Sequence, residues 1–144
     1  MRRYFIIFLS TFLILIDQLS KYLIRHAGGF YICNPGIAFS VKIPLPIFIS
    51  FWIIIVVFIG FSIFNFKFSI FNKVPIYKFS NLQTFGLLLI LSGAVSNLVD
   101  RMHFGCVVDF INMRFWPIFN IADSFIVVGV IIILIKIRRN SFIH

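Results

Sequence analysis

The hydrophobic positions of this chain fall into four long runs separated by short polar stretches. They cover about residues 4–24, 44–64, 82–99 and 118–135. At 1.5 Å of rise per residue, each run predicts a helix able to cross about 30 Å of hydrocarbon. The first run follows Met1-Arg2-Arg3, as the core of a signal peptide would. No small-x-small cleavage site follows, and the run continues through Asp17 and Lys21, so it reads as a retained anchor. The segment from Ala27 to Ile43 differs. Gly28-Gly29 and Asn34-Pro35-Gly36 are turn signals. Phe30-Tyr31-Ile32 and Ala38-Phe39-Ser40-Val41 predict short strands around the turn, forming a small extended platform. Residues 65–81 carry lysines and aromatics and read as an ordinary connection. The pattern predicts one domain over 1–144, an all-α membrane protein of four transmembrane helices with a small β platform.

Composition agrees with this picture and charge orients it. The chain is 61% hydrophobic and only 12% charged, with a mean hydropathy of +1.09; a soluble domain is about a quarter charged. The net charge of +9 does not indicate nucleic acid, because the basic residues sit in short loops between apolar runs, where they act as topology signals. Eight of them (Arg2, Arg3, Lys67, Lys73, Lys78, Lys136, Arg138 and Arg139) fall on one side. Five (Lys21, Arg25, Lys42, Arg101 and Arg114) fall on the other. Both termini are therefore expected in the cytoplasm. In that orientation Asp17, Asn34, Asn97, Asp100, Asp109 and Asp123 all lie at the outer face.

Candidate chemistry follows from the acids. There are four, none of them Glu, and three lie between Gly93 and Asp123. Ionisable groups in or beside membrane spans are costly and functional by default. Asp17 and Lys21 are four apart on a helix and can pair, neutralising each other and bracing a site. Gly93, Asn97 and Asp100 stack on one helix face, with Gly93, Ala94 and Ser96 allowing close helix approach. On spacing alone, Asp100-Arg101 fits an interfacial ion pair. Asn120 fits a helix N-cap with Asp123 at the third position, beside the positive end of the dipole. Asp109 stands alone in an apolar loop between Val108 and Phe110 and needs a partner. Two carboxylates brought together share a proton, because both cannot ionise at once. One can then take a proton from water while the other donates to a peptide oxygen. Other sets fit less well. Without Glu there is no His-Glu-x-x-His zinc site, and His26, His103 and His144 lack ligand spacing, so no metal or other cofactor is expected. Ser20 and Lys21 are adjacent and point apart, which disfavours a Ser-Lys dyad. Cys33 and Cys106 have neither metal spacing nor a disulfide framework and read as small, fairly apolar filler. A small four-span transporter subunit using the acids as a proton or cation relay is the alternative. It requires acids spread through the membrane depth, whereas these gather at one face.

The motifs resemble those of the signal peptidase II family, the lipoprotein signal peptidases, aspartic peptidases of the bacterial inner membrane. The resemblance is carried in order by Asp17-Gln18-x-Ser20-Lys21, Asn34-x-Gly36-x-Ala38-Phe39-Ser40, Gly93-Ala94-x-x-Asn97-x-x-Asp100-Arg101, Gly105-x-Val107-Val108-Asp109-Phe110 and Trp116-Pro117-x-Phe119-Asn120-x-Ala122-Asp123. It covers nearly the whole chain. Ser92 and Ser96 stand where the family often has glycine, Ile37 replaces a smaller residue, and the loop from Asp109 to Asp123 is short. The resemblance implies four transmembrane helices with an extended extracytoplasmic cradle. It implies removal of the signal peptide from diacylglyceryl-modified prolipoproteins, just before the lipidated Cys. It makes Asp109 and Asp123 the catalytic dyad, with Asp17, Lys21, Asn34, Gly36, Asn97, Asp100, Arg101 and Asn120 supporting site and substrate. The expected partners are those prolipoproteins and membrane lipids, with no nucleic acid, for a monomer.

Overall fold

A computed structural model describes residues 2–36, positions 44, 46, 47, 50, 52–55 and 57, and residues 81–141. Along residues 2–36 and 81–141, three helices and two short strands alternate: α1 (Arg2–His26), β1 (Ile32–Asn34), α2 (Asn81–Phe104), β2 (Val107–Asp109) and α3 (Ile121–Ser141). The first, third and fourth apolar runs are helical, as their length predicts. Tyr4–His26 and Asn81–Phe104 are each long and apolar enough to cross a membrane. The second run, 44–64, lies mostly outside the described residues. Its described positions 46, 47, 50, 52–55 and 57 are helical. The connection at 65–81 lies outside them up to Asn81, as does the strand expected at 38–41.

α1 and α2 each stop for a local reason. α1 closes with Ala27 N donating to Leu23 O at 2.8 Å and Gly29 N donating to Ile24 O at 3.0 Å, which satisfies carbonyls of the last turn. Arg25 and His26 lie in that turn, and Arg101 and His103 in the last turn of α2, where cations complement the dipole. α2 runs five residues beyond the apolar stretch and ends at Gly105. That residue takes φ +72°, and its N–H donates to Arg101 O at 3.0 Å. A side chain there would be strained, and the reversal it allows delivers the chain directly into β2.

β1 and β2 pair antiparallel, with Ile32 opposite Asp109, Cys33 opposite Val108 and Asn34 opposite Val107. The extended platform is thus present, but β1 begins two residues later than expected and takes its partner from beyond α2. Asp109, expected in a loop, ends a strand. Chain order could not show this, since the partner is more than seventy residues away.

α2 and α3 pack antiparallel at small residues. A methyl group on Gly93 would overlap the carbonyl oxygen of Ala122, and one on Gly129 would crowd the carbonyl of Gly86. The two contacts lie two turns apart on each helix, which brings the backbones together as small residues do between membrane helices. Polarity is inverted relative to a soluble domain. Tyr4, Phe8, Leu15 and Leu19 on α1 and Val127, Leu134 and Ile135 on α3 are exposed. The largest fully buried side chains are Lys21, Asn120, Asp17, Asp100, Asp109, Ser92 and Ser96. Apolar exteriors around a polar interior suit a hydrocarbon solvent.

Candidate active site

The polar side chains form one connected cluster where α1, the end of α2, β2 and the start of α3 meet. Lys21 is its hub. Its Nζ lies 2.6 Å from Asp17 Oδ2 and 2.9 Å from Asp100 Oδ2, and donates to Asn97 Oδ1 at 3.0 Å. All three ammonium hydrogens have acceptors, which offsets the burial of a side chain only 1% exposed. The expected Asp17–Lys21 pair is therefore present as part of a wider charge network. Asp17 also accepts Ser96 Oγ at 2.7 Å and the backbone N of Ala122 at 2.8 Å. The second contact satisfies an orphan donor in the first turn of α3 and ties α1 to that helix start.

Asp100 does not serve Arg101 as spacing suggested. Besides Lys21, it accepts Gln18 Nε2 at 2.9 Å and Val108 N at 3.2 Å. The reason is helical geometry: adjacent residues diverge, so Asp100 faces α1 and β2 while Arg101 turns elsewhere. Arg101 Nη2 donates to Gly36 O at 2.9 Å, and Gly36 N donates to Asn34 Oδ1 at 3.0 Å. One side chain of α2 thus holds the turn that follows β1.

Asn120 caps α3 as its position predicts. Its Oδ1 accepts Asp123 N at 2.9 Å, and Asp123 Oδ2 accepts Asn120 N at 3.2 Å. This is a capping box with Asp in the reciprocal position. Capping leaves the amide nitrogen of Asn120 free to turn inward, where it donates to Asp109 Oδ1 at 2.7 Å and Asn97 Oδ1 at 3.2 Å. Asn97 Nδ2 donates to Asp123 Oδ1 at 2.8 Å. Lys21 has only donors, so it fixes the Asn97 oxygen toward itself and the Asn97 amide toward Asp123. Asn34 Nδ2 donates to Asp109 Oδ2 at 2.9 Å. Both oxygens of each aspartate therefore accept hydrogen bonds, and Asn120 touches both residues.

Thirteen residues separate Asp109 from Asp123, and a bridge between Ile111 and Phe119 folds that loop back on itself. Phe110 N and Ile111 N both donate to Phe119 O, at 3.0 and 2.8 Å. Asp109 is 2% exposed; Asp123 is half-buried. Burial is the main force on Asp109, pushing its carboxyl up to about 6, with the nearby Asp123 charge acting in the same direction and Asn34, Asn120 and Lys21 opposing.

Every site residue expected from the sequence belongs to this cluster: Asp17, Lys21, Asn34, Gly36, Asn97, Asp100, Arg101, Asp109, Asn120 and Asp123. Two further members, Gln18 and Ser96, lie outside that set. Ser96 looked like a small packing residue, and its hydroxyl matters only because α1 brings Asp17 to it. The expectation for the cysteines is overturned as well. Cys33 and Cys106 are not separate apolar filler; they form a disulfide with Cα atoms 5.5 Å apart. Their separation of 73 residues fits no compact cysteine pattern, and only the β1–β2 register brings them together.

Comparison with known proteins gives consistent findings. Residues 9–139 match the sequence model of signal peptidase II. The chain is 36% identical over 140 residues to the lipoprotein signal peptidase of Moorella thermoacetica, covering 87% of each chain. It is 36% identical over 152 residues to that of Caldicellulosiruptor bescii, covering 96% of this chain and 92% of the relative. It is also similar to a bacterial membrane enzyme solved by the in meso method, with a TM-score of 0.76 and 28% identity, over 94% of this chain and 88% of the other.

Proposed function

The chain belongs to the signal peptidase II family, and from that premise we propose that Asp109 and Asp123 are the catalytic pair by which it removes signal peptides from prolipoproteins. Peptidase activity and insertion in the membrane follow from membership. The aspartic mechanism, the lipidated substrate and the orientation are the proposal. The observation that supports it is the bridging of both aspartates by Asn120 within a buried polar cluster.

The pair holds one proton. Lys21 balances part of the charge of Asp17 and Asp100, and Arg101 lies within the field of Asp100, Asp109 and Asp123. Asp109, poorly solvated, keeps the shared proton at the start; Asp123, half-buried, takes the role of base. Asp123 removes a proton from water as the water oxygen attacks the scissile carbonyl carbon. Asp109 donates its proton to the carbonyl oxygen, giving a tetrahedral diol. Asp123 then passes its proton to the departing amine, Asp109 recovers one from the diol, and the C–N bond breaks. Asn97 and Asn120 hold the two carboxylates throughout and do not react.

The substrate is a diacylglyceryl-modified prolipoprotein cut before its lipidated Cys, presented at the outer membrane surface. The excess of Lys and Arg in the other loops supports this orientation. So does the Cys33–Cys106 disulfide, because such bonds persist on the oxidising side of a membrane. The test is incubation of the purified protein in detergent with a precursor peptide, with and without the lipid on its Cys. Cleavage confined to the lipidated form is expected; equal cleavage of both would remove lipid recognition from the reading.

A further inference from the structure

We propose that the Cys33–Cys106 disulfide is a positioning device for the reaction, locking the β1–β2 register in which Asn34 reaches Asp109. The inference rests on the aspartic reading above and adds a dependence on thiol oxidation state.

Side chains alternate across a strand, so Cys33, Val108 and Cys106 share one face of the ribbon, and Asn34, Val107 and Asp109 share the other. The disulfide runs diagonally on the first face, from Cys33 to the residue two before its partner Val108. The Asn34–Asp109 hydrogen bond runs diagonally on the second face, from Asn34 to the residue two beyond its partner Val107. The two links cross. A slip of one residue would move Asn34 to the face opposite Asp109, and the same slip would part the cysteines. With three residue pairs the ladder is too short to fix its own register, since an isolated two-stranded ribbon is marginal in water. The bond between Gly36 O and Arg101 steadies the turn beyond β1 without selecting a face.

The disulfide is open to exchange at one end. Cys33 is exposed while Cys106 is 4% exposed. A dithiol reductant attacks Cys33 Sγ, Cys106 leaves as the thiolate, and the second thiol of the reagent displaces Cys33. The protein gains two thiols and the reagent becomes a disulfide. Asp109 then loses a donor that favours its ionised form. The groups that remain around it are Asn120 ahead of α3, Asp123 on α3, Lys21 on α1 and, further out, Arg101 on α2.

The experiment uses the full chain in detergent with a lipidated precursor peptide. Cleavage is followed against pH for oxidised protein, for protein reduced with dithiothreitol, and for protein reoxidised after reductant removal. The same series is run on Asn34→Ala. Reduction is expected to slow turnover roughly tenfold to a hundredfold, as for other small displacements of catalytic groups. It should also move the alkaline limb of the profile to higher pH, and reoxidation should restore both. Asn34→Ala should show the same displaced limb and be indifferent to reductant. An unchanged profile on reduction, an irreversible loss, or an equal further loss in Asn34→Ala would overturn the proposal. A lack of cleavage by oxidised protein would instead count against the aspartic reading. In that event carbon NMR of the Asp109 carboxyl still decides the positioning claim, since its titration midpoint must rise on reduction.

Discussion

At the scale of single residues, this protein places charge where a hydrocarbon solvent penalises it and then satisfies nearly every atom. Lys21 makes the case. Removing it leaves Asp17 and Asp100 buried without their cation. Lys21→Met is expected to destabilise the protein by about 3–5 kcal/mol, the usual result of breaking a buried pair. Thermal unfolding in detergent would measure it, and a loss below about 1 kcal/mol, typical of an exposed pair, would contradict the buried network. Asp109 and Asp123 carry a different expectation. Asp109→Asn and Asp123→Asn should each abolish cleavage while leaving an inserted, folded protein. Substantial cleavage by either folded variant would sink the two-aspartate mechanism. Asn97→Ala should slow turnover without abolishing it, because Asn97 holds Asp123 and does not exchange protons.

A pH test isolates Asp109 further. Its folded-state carboxyl is raised from 3.8 to about 6 by burial. The folded protein therefore binds a proton there that the unfolded chain releases. The stability this contributes is full below about 4 and is lost as pH rises through about 6. The melting temperature of the parent protein minus that of Asp109→Asn should accordingly fall between pH 4 and 7. A difference that rises over that range would show Asp109 to be held as a stabilised carboxylate.

At the scale of elements, the decisive contact is between α2 and α3. Gly93 meets the backbone of Ala122 one residue before Asp123, so helix packing and the position of the carboxylate are one geometric fact. Gly93→Ala puts a methyl group into the Ala122 carbonyl, and the start of α3 must move. The expected cost is about 1–3 kcal/mol of stability, as for other overpacked sites. Cleavage should fall further than the change in folded fraction explains. Retention of full activity and stability would show that the helices separate freely. Asn120 couples cap and site in the same way. Asn120→Ala should cost about 1 kcal/mol as a lost N-cap, and it also removes a donor from Asp109.

At the scale of the whole molecule, the polar cluster sits at one end of the helices and apolar side chains cover the flanks. A reporter fused after His144 that is active only outside the cytoplasm should stay silent. Strong activity there would overturn the proposed orientation and put the polar cluster and the disulfide on the cytoplasmic side.

The membrane class, three of the helices, the capping role of Asn120 and the membership of Asp109 and Asp123 in one polar set are all legible in the sequence. These depend on local properties: run length, the cost of an acid in an apolar segment, and the spacing of caps. The partners of these residues depend on packing between elements. Spacing allowed Asp100 to pair with Arg101, yet α1 packs against α2 and supplies Lys21 instead. Ser96 looked like a packing residue until Asp17 met it. The cysteines looked unrelated until β1 paired with a strand beyond α2. Periodicity fixes which residues share a face of one element. Which face meets which is set by packing between segments far apart in the chain, and no local pattern records that.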